Sequence, residues 1–500
     1  VKYKKFREIG IVLKASALAV LLAAFAAVAA GCTIRGEYDI KATEGGIIIQ
    51  RYNKRESVVE IPSVYKGKTV VGIGKDAFYD NDALTSVTIP DTVKSIGDSA
   101  FASCSNLTSI ILPDSVETID IYAFSTCDNL SEIRLSGNLK KIGDFAFSHC
   151  KKIKSISLPE SLEEISRGAF FNCTSLSEIE LPGGIKTISK TAFASCTSLT
   201  VMDIPGSAET IQEDAFKDCT GLTEITIGNG TKVIGEEVFS GCTALKTIKL
   251  PDSLEYIGTN AFVGCSSLEE LIVPGSVDTI GPWGLSECES FKFLVIREGV
   301  SEIGENALKG CLTINSISIP GSVKKIGEYA FYGCENLAGI TLSEGVNEIG
   351  AYAFSNCGSL ENLLLPGSIK FLGEYAFADN SIKKIEFSEG IETIGALAFC
   401  ACKSLEQIKL PDSLSEIGAN AFSECTALEE LDIPSGVEII GDSAFEDCES
   451  LKAVYFSSGF TQIGINTFRG CTNLTIYAPA DSAAEEYASE NGFDFIAFGG

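Results

Sequence analysis

Cysteine and histidine are the side chains from which nucleophiles and metal sites are most readily built, and this chain has eighteen of the first and one of the second. Of the seventeen cysteines beyond Cys32, twelve run from Cys104 to Cys357 at an unbroken spacing of 23 residues. That regularity puts each thiol at the same inward site of a successive coil, so the sulfurs form a parallel file about 4.8 Å apart. The step exceeds the usual Cβ separation of a disulfide, and a straight file cannot surround an ion tetrahedrally. The column therefore reads as buried free thiols acting as small hydrophobes. Asn81 and Asn380 take the same site in two coils, where an amide can bond turn backbone, and Cys400 is an extra thiol beside Phe399. His149 directly precedes Cys150, which suggests a Cys-His nucleophile. Cys150 turns inward with its column, however, and the variable slot of His149 reads as surface. Acidic pairs are plentiful, but a glycosidase holds two carboxylates across a cleft, whereas these occupy variable exposed sites. Asp98, Asp144 and Asp442 follow I-G and read as loop and capping residues. No G-x-S-x-G, H-E-x-x-H, P-loop or dinucleotide fingerprint occurs. No catalytic residue, metal ligand or cofactor is assigned.

The elements that hold these side chains come from one phrase, I-G-x-x-A-F-x-x-C-x-x-L-x-x-I-x-L-P, repeated eighteen times between Phe78 and Phe468. Its Phe column advances by 23 residues, passes through Leu285 and Leu308, and takes one 22-residue step from Phe377 to Phe399. A period between 20 and 29 residues containing L-x-x-I-x-L is the mark of a leucine-rich repeat solenoid with one short strand per coil. In the unit opening at Phe101, the residues Phe101, Cys104, Leu107, Ile110, Leu112, Val116 and Ile119 should point inward. One coil covers neither of its own faces, so stability must come from stacking on neighbours, and both ends need covering.

Composition marks those ends. Residues 38–73 read as an N-terminal cap of short strands around a turn at Tyr65-Lys66-Gly67, 74–476 as the solenoid, and 477–500 as a C-terminal cap. The last contains a short helix from Asp481 to Asn491, capped by Asp481 or Ser482 and stopped by Gly492. Residues 1–31 read as a secretory signal: Lys2, Lys4, Lys5 and Arg7, then an apolar stretch from Ile11 to Ala30, then Gly31 and Cys32. Ala29-Ala30-Gly31-Cys32 resembles a bacterial lipoprotein box, which implies cleavage before Cys32, a lipid on its sulfur, and 32–37 as an anchor linker. An ordinary cleavage site and an uncleaved signal anchor are the other readings. Losing 1–31 removes five positive charges and one negative, so the net charge moves from −28 to −32. Such an acidic body has no electrostatic attraction for nucleic acid or an anionic membrane surface.

The full repeat, I-x-x-I-G-x-x-A-F-x-x-C-x-x-L-x-x-I-x-L-P-x-S-V, resembles the BspA-like leucine-rich repeat family of bacterial surface lipoproteins. The tail TIYAPADSAAEEYASENGFDFIAF is similar to the one that closes such arrays. The resemblance covers nearly all of the chain after the signal. It implies an α/β-type solenoid, a curved right-handed leucine-rich repeat array, lipid-anchored through Cys32 at the bacterial cell surface. It also implies a monomer that adheres to protein or glycan on host or neighbouring cells and does no catalysis. A carbohydrate-binding surface protein and a passive envelope spacer are the alternatives.

Two groups of residues stand out as candidate ligand-binding sites. In L-x-x-I-x-L the third and fifth positions flank the inward Ile and face the concave side. Most are polar, but Ile272, Phe293 and Val295 put three large apolar groups on two adjacent coils. The same region contains Gly281-Pro282-Trp283-Gly284-Leu285, with the only Trp of the chain, and loses the next Phe at Leu308. An exposed cluster of this kind marks an interaction site. The competing reading is local repacking, with Phe293 tucked into space vacated by the missing Phe. The second group is Tyr329, Tyr352 and Tyr375, which precede Ala-Phe in three consecutive coils. They would bind sugar or protein, or pack on one another along a convex flank.

Overall fold

The computed structural model describes residues 38–457 and 462–498. The signal segment and Cys32 lie outside the described residues, so the lipidation reading is not addressed by the fold.

Each repeat makes one coil, and each coil carries two strands where the sequence pattern predicts one. The predicted strand is L-x-x-I-x-L, three or four residues long, as in Ser109–Ile111 or Glu270–Val273. The additional strand is two residues long and in most coils ends on the Ile before Gly, as in Lys141–Ile142. Two residues are too few to show period-2 alternation, which is why it escaped the pattern. Equivalent strands of successive coils pair in parallel at the repeat spacing, Ser109 with Glu132 and Thr118 with Lys141. The short strands form a continuous ladder of fourteen from Glu164–Ile165 to Gln462–Ile463, whereas the long-strand face is divided into six sheets.

The turns stack as closely as the strands. Gly258 follows Ile257 where coils nearly touch: a Cβ there would lie 2.5 Å from the carbonyl carbon of Gly235. Two residues per coil adopt left-handed backbone, for example Ser99 (φ 52°) and Ser103 (φ 62°). That conformation costs a non-glycine residue about 1–2 kcal/mol. It also aims the amides at the next coil, Ser99 to Ile121 O and Ser103 to Ser125 O, each at 2.8 Å, and each such bond returns about 0.5–1.5 kcal/mol.

Inside, the residues predicted to point inward in the Phe101 unit are all buried. The Phe rings form a file from Phe78 to Phe262 with centroids 4.9–5.7 Å apart. It resumes at Phe331. In between, Leu285 and Leu308 are buried, and so is Phe291, at the site held by Leu268 and Ile314 in the adjoining coils. Phe291 returns an aromatic ring to the coil that lacks one at 285. At the N-terminal end Tyr52 stacks on Phe78 at 5.1 Å and Tyr38 lies against Tyr52 at 5.4 Å. Both belong to the antiparallel pair Tyr38–Thr43 and Gly46–Tyr52. At the other end the helix Ala483–Asn491 is capped by Ser482, whose side chain accepts the Glu485 amide, and stopped by Gly492 at φ 76°. Its Tyr487 meets Phe468 edge-on at 5.9 Å.

Candidate interaction surface

The thiol column is inward, unpaired and fully used. Each Sγ donates to the carbonyl of the preceding coil's Phe-column residue: Cys104 to Phe78 at 3.1 Å, Cys127 to Phe101 at 3.2 Å, and onward to Cys471 and Phe445 at 3.4 Å. The Phe101 carbonyl also accepts the Cys104 amide, so each thiol fills the second lone pair of a buried oxygen. Burial pushes the thiols up, to about 12 for Cys104, Cys173 and Cys265. A thiol held protonated is neither nucleophile nor ligand. No disulfide is formed among the described cysteines, and no group of three His, Cys, Asp or Glu side chains is placed to hold a metal ion among the described residues. Asn380 donates to the carbonyls of Phe354, Phe377 and Ala378. Cys400 accepts from the Ser423 hydroxyl at 3.2 Å. His149 is half-buried, pairs through Nδ1 with Asn172 at 2.9 Å and meets the edge of Phe171. Burial chiefly lowers its pKa, and Cys150 bonds Phe124 O instead of the imidazole.

On the long-strand face, the strand Glu270–Val273 pairs with Phe293–Ile296, setting Ile272 opposite Val295 and Glu270 opposite Phe293. The intervening Leu271, Leu294 and Ile296 are buried, while Phe293 is 65% exposed, Ile272 48% and Val295 47%. Phe293 therefore does not tuck into the vacated Phe space; Phe291 supplies that bulk from inside. Next to the patch the sheet opens. Strand Thr247–Lys249 meets Glu270–Val273 in register only at Thr247 and Glu270, and beyond that pair a groove of about 520 Å³ runs past Lys249, Leu250 and Pro251 to Ile272. Arg297 crosses its end to Asp252 at 3.2 Å, two coils away. The patch was legible in the sequence; the groove was not, because it arises from loss of register between two consensus-like strands.

Trp283 lies elsewhere, at the left-handed turn position two residues before the Phe column, which Tyr329, Tyr352 and Tyr375 also occupy at φ 55–57°. The tyrosines stack ring on ring, Tyr329 to Tyr352 at 4.7 Å and Tyr352 to Tyr375 at 4.6 Å, within 10° of parallel. Their shared faces are covered by one another, and each ring is half-buried. Between Trp283 and Tyr329 the ammonium of Lys309 sits against three rings, 4.9 Å from Trp283, 5.6 Å from Tyr329 and 5.5 Å from Tyr332. Lys309 and Tyr332 escaped the sequence reading. Their signal was the 46-residue separation of Trp283 and Tyr329, two repeats with a short Asn306 between.

The chain resembles a leucine-rich repeat protein from Bacteroides ovatus at 27% identity over 93% of this chain and 98% of that one, TM-score 0.39. A leucine-rich repeat protein from T. pallidum is 31% identical over 42% of this chain and 87% of its own, TM-score 0.34. A leucine-rich cell surface protein from Faecalibacterium prausnitzii is 20% identical over 91% and 97%, TM-score 0.32. No similar sequence is found among curated proteins. The profile described as BspA type leucine-rich repeat region (6 copies) matches residues 71–200, 186–315, 258–383, 301–407 and 370–485. Together those matches run across the repeats whose paired strands, stacked Phe rings and buried thiols are described above, and the chain belongs to the BspA-type leucine-rich repeat family.

Proposed function

We propose that this is a surface-displayed adhesion protein that captures a protein partner on the long-strand face, around Ile272, Phe293 and Val295, and does no chemistry. The observation that carries the reading is Phe293. A Phe 65% exposed, beside two half-exposed aliphatic groups on paired strands, is apolar surface that the fold does not need, since Phe291 already fills the core. Desolvating such a cluster is the main source of affinity at protein interfaces. The adjoining groove gives a partner side chain depth, and the Arg297–Asp252 pair supplies a polar rim. A solenoid of this family is typically a scaffold for recognition rather than a catalyst. Display at the surface fits a lipid on Cys32, and Cys32→Ala should abolish lipid labelling and release the protein from membranes; unchanged labelling would discard the anchor.

The direct test is binding of the chain to an array of matrix proteins, mucins and glycans beside the Ile272→Glu, Phe293→Glu, Val295→Glu triple variant. The expected outcome is a protein ligand bound by the parent and lost, by at least about tenfold, in a variant whose circular dichroism is unchanged. Equal binding by both would place the site elsewhere.

A further inference from the structure

Trp283, Tyr329, Tyr332 and Lys309 form a constellation separate from the strand face, at the turn edge of the coils. Trp283 and Tyr329 hold the same turn position two coils apart, a separation of about 10 Å at the strand spacing of stacked coils. The coil between them carries Asn306, which is buried and donates to Glu305 Oε1 at 2.9 Å. Where the next three coils stack Tyr on Tyr on Tyr, a slot one ring thick is left open. Lys309 fills it, with its ammonium 4.9–5.6 Å from three ring centroids. Many other lysines here salt-bridge to a carboxylate one coil away, as Lys292 does to Glu269; among the described residues Lys309 makes no such pair and is held by ring faces. Three rings around a cation are the arrangement that recognises alkylated ammonium groups, because the negative ring faces attract the charge and the methyl groups shed little water on entering.

We propose that Trp283, Tyr329 and Tyr332 form a binding site for a quaternary or methylated ammonium ligand, with Lys309 as the built-in occupant it displaces. The surroundings favour a cation over an anion. The chain carries a net charge of −28, and the exposed Glu287 and Glu305 adjoin the slot through the Glu287 amide on Lys309 O and the Trp283 amide on Glu305 O. Displacement is feasible because Lys309 is half-exposed and its ammonium regains full hydration on leaving, which a methylated ammonium does not need.

The chain has one Trp, so indole fluorescence reads this site alone. The experiment titrates the full chain with choline and, separately, with N-trimethyl-lysine, against sodium chloride at matched ionic strength and against 3,3-dimethylbutanol, the uncharged isostere of choline. The expected result is a saturable change with a charged ligand only, tightened by Lys309→Ala and weakened about 2- to 30-fold by Tyr329→Ala or Tyr332→Ala. Which of the two ligands binds tighter tells a lipid or polymer headgroup from a modified lysine side chain. No saturable change in the parent overturns the proposal, including the case in which only Lys309→Ala responds, since Lys309 is then a permanent strut. An equal response to the uncharged isostere also overturns it.

Discussion

The column cysteine explains itself at the scale of one residue. Its site must be small and apolar to sit inside the coil, yet it faces a carbonyl that the coil's own amide leaves half satisfied. A thiol meets both demands, burying as a hydrophobe and donating weakly, where Ala would leave the oxygen short and Ser would be costlier to desolvate. Because burial raises these thiols from 9.0 to about 12 at Cys173, Cys219 and Cys265, folding is linked to pH. The folded state keeps them protonated while the unfolded chain ionises. Their contribution is whole below pH 9 and is lost as pH rises through 9 toward 12, by about 1.4 kcal/mol per thiol per pH unit. Chemical denaturation at pH 8, 9, 10 and 11 should show stability falling with a slope that Cys173→Ser, Cys219→Ser and Cys265→Ser together reduce. An unchanged slope would mean that the thiols already ionise in the fold. The buried thiol was legible from spacing alone; its hydrogen bond was not, since it joins residues 26 apart, one coil plus a turn.

At the scale of one element, the short coil between Phe377 and Phe399 shows how the repeat tolerates a missing residue. Asn380 is followed by a single residue before Ile382, where other coils place two between Cys and Leu. The strand beyond keeps its pairing, Asn362 opposite Lys384 and Leu363 opposite Ile385, so the deletion is absorbed in the turn. The amide of Asn380 spans it, donating to three carbonyls where a Cys has one S–H to give. Asn380→Cys restores the consensus and should cost only about 0.5–1.5 kcal/mol, because Phe377 O keeps the Cys402 thiol, Ala378 O keeps the Asn356 amide, and the unpartnered buried Asn380 Oδ1 is removed. A denaturation midpoint at or above that of the parent would show that the amide merely fills space. The periodicity revealed the missing residue and the Asn. The second strand of each coil stayed hidden, because two residues carry no alternation to read.

At the scale of the molecule, the solenoid, its number of coils and its inward columns could be read from the sequence because every coil repeats the same local answer. Departures from regularity were readable where they changed residue type, as at Trp283 and Phe293, or spacing, as in the 22-residue step to Phe399. Those that depend on how neighbouring coils meet were not: the groove beside Ile272, the slot around Lys309, and the interruptions of the ladders. One interruption stands out. The long strands Glu132–Arg134 and Ser155–Ser157 belong to different sheets, and so do the short strands Lys141–Ile142 and Glu164–Ile165 of the same two coils. The turn side remains joined there, by the amides of Phe145, Phe147 and His149 on the carbonyls of Arg167, Ala169 and Phe171. Phe145 lies so closely over Gly168 that a Cβ would fall 2.2 Å from its ring, and Arg167 reaches Asp144 at 3.1 Å. Strand pairing is interrupted on both faces here, and the coils are held by the turn side, the stacked Phe147 and Phe170, and the Ser161 hydroxyl on Leu139 O at 2.6 Å. With fewer strand bonds to break than at its neighbours, this joint should be the first to bend under a pull along the rod, which single-molecule stretching would read as a compliant phase before any coil unwinds.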